Sequence, residues 1–240
     1  MNEGPRDPAE SAQTAETTET AETVDRAGVG SRRSAPAGSR QRVVLLTGPS
    51  GAGKSRLAAR LASRTGWPVV RLDDFYREID DPRLPRSGLG IPDWDHPQSW
   101  NTDAALQALR ALIETGEVEV PVYDIATSQV TGRRRLTARP GDHVLAEGLF
   151  AGRLASPLQA EGLLTDALCV RQNRYVTAVR RFVRDLVEHR KPPRILMRRG
   201  WSLLREEPGV VAAASAQGAR PTTPREAERD LAPLLAASGC

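Results

Sequence analysis

Residues 43–55 read Val-Val-Leu-Leu-Thr-Gly-Pro-Ser-Gly-Ala-Gly-Lys-Ser, and this stretch leaves the chain little choice of fold. Val43 to Leu46 is apolar without polar alternation, the pattern of a strand covered on both faces. Gly48-Pro49-Ser50-Gly51-Ala52-Gly53-Lys54-Ser55 then fits G-x-x-x-x-G-K-[ST], the phosphate-binding loop. The helix expected from Ser55 carries Leu57 and Leu61 one turn apart on a single face. Glycines let backbone N–H groups turn in on a phosphate, and the helix N-terminus adds free donors and a partial positive charge. Lys54 is placed to reach the outer phosphates, and the Ser55 hydroxyl to ligate Mg²⁺. With Arg56, this loop is the predicted site for a nucleoside triphosphate. Lysine usage agrees: of 34 Lys and Arg residues only Lys54 and Lys191 are lysine, so a compact ammonium stands where an outer phosphate needs one.

A chain of 240 residues holds one large α/β domain or two small ones. Its formal charge of +4 is mildly basic, and 4% aromatic residues leave little material for base stacking, so nucleic acid is not an expected partner. Anionic phosphate substrates account for the charge equally well. Cys169 and Cys240 are too few for a disulfide framework or a zinc site, and Cys169, in Ala-Leu-Cys-Val, reads as a buried structural thiol. No apolar run is long enough to span a membrane, and no basic-then-apolar leader opens the sequence. The expectation is a reduced, cytoplasmic setting without a membrane partner. Residues 1–40, rich in Ala, Thr, Glu, Ser, Gly and Pro, read as a disordered tail before a domain spanning 41–240.

Downstream, Trp67 to Leu72 reads as a second strand running into Asp73-Asp74-Phe75-Tyr76. Two carboxylates thus end a strand, at the edge where open parallel sheets bind ligands. There an Asp can take a proton from a hydroxyl or hold a metal's water, although an Asp capping the next turn has the same look. Asp93-Trp94-Asp95-His96-Pro97-Gln98-Ser99-Trp100 suggests a pocket wall with polar anchors, against the plainer reading of two core tryptophans. A helix is expected from Thr102 or Asp103 to Glu114. Glu117 to Asp124 alternates as a strand, with Arg133 to Thr137 returning around Thr131-Gly132, a hairpin flap over 117–138. Arg133, Arg134 and Arg135 read as a solvated turn rather than a phosphate site. His143 to Gly148 is a buried strand ending in Glu147, a second candidate for the magnesium sphere. Arg180 and Arg184 lie four apart on a helix from Tyr175 to Lys191, where they can clamp phosphate oxygens or pair locally with Asp185 and Glu188. Gly218 to Pro224 reads as loop, and Glu226 to Leu235 as a terminal helix.

Taken together and in order, Gly48-to-Ser55, Asp73-Asp74-Phe75-Tyr76, Asp95-His96-Pro97, Pro121-Val122-Tyr123-Asp124, Glu147-Gly148 and Arg180-Arg181-x-x-Arg184-Asp185 resemble the uridine/cytidine kinase family, related to phosphoribulokinases. The resemblance covers about residues 43–190. It implies an α/β P-loop NTPase three-layer sandwich with a mostly parallel sheet, a small β-hairpin substrate flap and an Arg-rich helical lid over 174–193. It implies ATP and Mg²⁺ as cofactors, and a nucleoside or other small hydroxylated substrate. By the same resemblance Asp73 is the general base and part of the metal site with Ser55 and Glu147. Lys54, Arg180 and Arg184 serve the phosphates. Tyr76, Asp95, His96, Tyr123 and Arg180 bound the substrate. The family's base-reading His has no counterpart in Asp124-Ile125-Ala126-Thr127-Ser128, and Thr177 stands where its lid helix begins with Arg.

The leading expectation is therefore transfer of the γ-phosphate of ATP to the 5′-hydroxyl of uridine or cytidine, with another sugar, nucleoside or cofactor precursor as the alternative acceptor. An alternative of another class is a non-catalytic nucleotide-binding regulatory protein. A GTPase is excluded by the lack of an Asn-Lys-x-Asp motif. Homo-oligomerisation is left open.

Overall fold

The computed structural model describes residues 42–88, 90–172 and 209–237. The predicted tail (1–40) and the predicted lid (174–193), with Arg180 and Arg184, lie outside the described residues. In chain order the strands are β1 (Arg42–Thr47), β2 (Val69–Arg71), β3 (Glu117–Asp124), β4 (Gln129–Thr137), β5 (His143–Glu147), β6 (Leu164–Val170) and β7 (Arg220–Thr222). The named helices are α1 (Lys54–Thr65), α2 (Thr102–Thr115), α3 (Ala155–Ala160), α4 (Pro224–Asp230) and α5 (Ala232–Ala237), and 209–216 are also helical.

Five strands form one parallel sheet in the order β2-β5-β1-β6-β7. The apolar run of β1 explains why it lies at the centre. Val43 and Leu45 face one core, with Val70, Val144 and Ala146 from the sheet and Leu106, Leu109, Leu112 and Leu158 from α2 and α3. Val44 and Leu46 face the other, with Leu57, Ala58 and Leu61 of α1 and Ala227, Leu231 and Leu235 of the C-terminal helices. Each wholly buried leucine here contributes about 1.5–3 kcal/mol relative to an exposed one. The result is three layers, helix–sheet–helix.

The helix ends are set by local chemistry. Gly53 (φ 97°) enters α1 and Gly66 (φ 76°) leaves it, donating its N–H to Ala62 O. The Asn101 side chain accepts from the Ala104 N–H at 3.1 Å and so fixes the start of α2. Thr223 and Glu226 form a reciprocal capping box that starts α4 at Pro224.

Five expectations change. The second strand is only Val69–Arg71, because Leu72–Phe75 winds into a 3₁₀ turn. The hairpin turns at 125–128, not at Thr131-Gly132: the Asp124 carboxylate accepts from the Ala126 N–H (2.9 Å) and the Thr127 hydroxyl (3.0 Å), and Ser128 adopts φ 56°. Arg133, Arg134 and Arg135 are consequently strand residues of β4, paired across to Pro121, Val120 and Glu119. Arg220–Thr222, expected in a loop, pairs with β6 as an edge strand, and the terminal helix begins earlier and breaks at Leu231.

Candidate functional site

Parallel strands deliver their C-terminal ends to one edge of the sheet. The register places Glu147 of β5 between Leu46 of β1 and Arg71 of β2. The loop 48–53 leaves β1 at that edge, and Asp73 lies in the turn that leaves β2. The sequence-predicted P-loop, Asp73 and Glu147 are thereby brought together.

The loop has the backbone that a phosphate cradle requires. Gly48 (φ 125°) presses against β6, where an added Cβ would meet Val170 O at 2.3 Å. Gly51 and Gly53 also have positive φ. Lys54 lies on the buried side of α1 with Leu57, Ala58 and Leu61 and is only 7% exposed. Its Nζ donates to Gly48 O (2.8 Å) and Pro49 O (3.1 Å), which holds the ammonium over the loop.

Glu147 is 5% exposed. Burial pushes its carboxyl above the ordinary 4.5 and the Asp73 charge adds to this, while Lys54, a hydrogen bond from the Ser55 hydroxyl and Arg71 pull it back. Hydroxyl and carboxylate oxygens are the hard donors that Mg²⁺ takes, so Ser55, Glu147 and Asp73 fit such an ion held jointly with phosphate oxygens. Asp73 is held from behind by the Leu149 N–H, which donates to Oδ1 at 3.0 Å. Gly148 makes this possible: a Cβ there would lie 2.9 Å from the same Oδ1 and 2.8 Å from Leu72 Cβ.

Beside Asp73 is an aromatic group. The ring of Tyr76 is 6.0 Å from those of Tyr123 and Phe150 and 6.2 Å from that of Trp94. Burial, then the charges of Asp73 and Asp95, raise the Tyr76 hydroxyl well above its usual 10, so both carboxylates lie near that hydroxyl. The Tyr123 hydroxyl donates to Arg77 O at 3.1 Å. Trp100 is instead core: its Nε1 donates to Leu72 O at 2.6 Å beneath the turn. His96 is exposed and its Nδ1 accepts from the Gln98 N–H, capping a 3₁₀ turn. Asp95 is exposed too. Asp74, the second acid of the pair, is buried, with Arg71 and Arg134 within 4 Å of its carboxylate.

Sequence reasoning missed a cleft of about 260 Å³ beside the loop, bounded by Gly53, Arg56, Arg60, Gln172, Pro224 and Arg225. Arg60 there pairs with Glu228 at 2.5 Å. The Thr-Pro-Arg-Glu capping box was the local signal for Pro224 and Arg225, but their approach to the loop depends on β7, which no local pattern announces.

Residues 43–116 match a protein-family model described as an AAA domain. A Caenorhabditis elegans protein named "probable uridine-cytidine kinase" is 27% identical over 194 residues, covering 75% of this chain and 72% of that protein. The uridine kinase of Macrococcus caseolyticus is 25% identical over 151 residues, 62% of this chain and 71% of its own length. Among solved structures, a candidate fructose transport system kinase from Silicibacter sp. TM1040 superposes with a TM-score of 0.56 at 21% identity, over 80% of this chain and 91% of that one. The fold is that of an α/β P-loop NTPase.

Proposed function

We propose that this chain, a relative at modest identity of the uridine kinase-like P-loop kinases, phosphorylates the 5′-hydroxyl of uridine or cytidine with ATP. Its relatives named as kinases support a phosphotransferase; the acceptor and the residue roles are our reading. The observation that supports it most is Glu147, a carboxylate buried against the Ser55 hydroxyl, Lys54 and Asp73 at the lip of the phosphate loop. A fold has no structural need for so many charges in one buried place, whereas phosphoryl transfer needs alignment and charge neutralisation there.

In this reading the loop N–H groups and Lys54 hold the outer phosphates. Ser55 and Glu147, with Asp73 close by, would hold Mg²⁺, which neutralises phosphate charge when bound. Asp73 takes the proton from the acceptor hydroxyl as its oxygen bonds to the γ-phosphorus and the bond to the ADP oxygen breaks. Tyr76, Tyr123 and Asp95 frame the acceptor, and the cleft beside Arg56 and Arg225 receives the rest of the donor. Arg180 and Arg184, outside the described residues, are proposed to close over the phosphates.

One observation favours a second acceptor class. The polar groups of the hairpin turn are used within the protein: Asp124 binds Ala126 and Thr127, and Ser128 O accepts from the Ile79 N–H at 3.0 Å. A sugar-like acceptor, held through its hydroxyls, asks nothing of that turn. Mass spectrometry of the products from ATP, Mg²⁺ and a panel of nucleosides, sugars and cofactor precursors decides between them. Uridine or cytidine 5′-monophosphate supports the first reading, a sugar phosphate replaces it with the second, and ATP binding without transfer to any acceptor contradicts both.

A further inference from the structure

We infer that Asp74 is the positioning residue of the acceptor side, a buried carboxylate that ties both strands of the hairpin to the 3₁₀ turn carrying Asp73. The two acids are neighbours in that turn and have different partners. Asp73 is held at Gly148 and Leu149, while Asp74, 2% exposed, is turned to the hairpin. Burial raises the Asp74 carboxyl, and the Tyr123 backbone N–H of β3 is among the groups that pull it back. From β4 the Arg134 Nη2 lies 3.9 Å from Oδ2, and from β2 the Arg71 Nη2 lies 3.8 Å from Oδ1.

Asp74 adds to the ties that hydrogen bonds already make at the tip, from the Ile79 N–H to Ser128 O and from the Val130 N–H to Glu78 Oε1. A two-stranded ribbon is marginal alone, and among the described residues the strands of this one pair only with each other. Its root is fastened by apolar packing, with Val118, Val120 and Leu136 against the core under α2. Towards the turn that packing stops: Ile125 and Val130 are exposed. Tyr123 stands at this transition, its ring forming a wall of the aromatic group and its N–H acting on the Asp74 carboxylate. A neutral acceptor would satisfy that N–H at smaller desolvation cost, because a buried carboxylate is tolerated only when paired. What the charge adds is reach to a guanidinium on the second strand. At 3.8–3.9 Å these are ion pairs without direct hydrogen bonds, so the tie fixes position while leaving the hairpin some play. Through two adjacent residues the acceptor wall and the proposed base share one support.

The test uses the full chain with Asp74→Asn and Arg134→Ala, singly and combined; Arg134 is half-exposed on the hairpin, so its loss spares the core. Hydrogen exchange over 117–137 should quicken in each variant while β1 and α1 keep their protection. Resting on the kinase reading, a second arm follows uridine phosphorylation: the KM for uridine should rise about fivefold with the KM for ATP held to within about twofold, and the double variant should be no worse than the poorer single one. Arg134→Lys should restore most of the loss. Unchanged hairpin exchange, additive effects or a parallel rise in both KM values would overturn the inference. If the wild type does not turn over uridine, the acceptor reading fails alone and the exchange arm still decides for or against the tie.

Discussion

The Glu147 carboxyl is buried at the end of β5, where burial and the Asp73 charge raise its pKa above the ordinary 4.5. In the unfolded chain it would ionise near that ordinary value, so folding at neutral pH buries a charge that water would rather keep. The stabilising contribution of the protonated group is fully present below 4.5 and is lost as pH rises through the raised folded value. Glu147→Gln mimics the neutral acid. It should therefore melt at a higher temperature than the wild type at pH 7, with the gap closing as pH falls towards 4.5, and it should lose transfer activity; thermal melts across that range check it. A lower melting temperature for the variant at pH 7 would mean that Glu147 is a structural ion-pair partner. Gly148 gives a second prediction at this scale. Its φ is ordinary, so alanine strains no backbone there, yet the new methyl would lie 2.8 Å from Leu72 Cβ and 2.9 Å from Asp73 Oδ1. Gly148→Ala should cost roughly 1–3 kcal/mol as an overpacked site, read by urea unfolding, and should depress turnover more than nucleotide affinity because Asp73 moves.

At the scale of the element, the β1–loop–α1 unit was legible because its determinants are local. Lys54 illustrates how tightly it is built: the proposed phosphate-binding residue also sits on the packed side of the helix and bridges Gly48 O and Pro49 O. Lys54→Ala should weaken ATP binding about tenfold or more, the value of a charge-assisted contact of roughly 1.5–3 kcal/mol, as measured by titration calorimetry. The hairpin was legible in outline but not in its turn. Thr131-Gly132 has turn composition, but Asp124, a few residues earlier, closes the chain with its own carboxylate and Ser128 takes the left-handed conformation. The edge strand β7 escaped notice for a different reason. Three residues containing Pro221 have no strand pattern of their own, and pairing with Leu168, Cys169 and Val170 makes them one. Its effect reaches the cleft, because β7 delivers Pro224 and Arg225 to the phosphate loop.

For the whole molecule, the continuous apolar run of β1 implied helices on both faces, and both layers are present. The strand order was not legible, since the partners of β1 come from about residues 143 and 164, and only long-range packing chooses them. Among the described residues no helix is long and apolar enough to cross a membrane. The same sheet edge explains why residues from 48 to 147 reach one site, and which of them do not: Trp100 went to the core and His96 to a cap. We propose that this edge transfers phosphate with Asp73 as base. The most direct measurement compares Asp73→Asn with the wild type for ATP affinity and for the rate of phosphate transfer to the acceptor that the product panel identifies. ATP affinity should stay unchanged with transfer slowed about 10²–10⁴-fold; transfer at the wild-type rate in the variant would contradict the role of Asp73 as base.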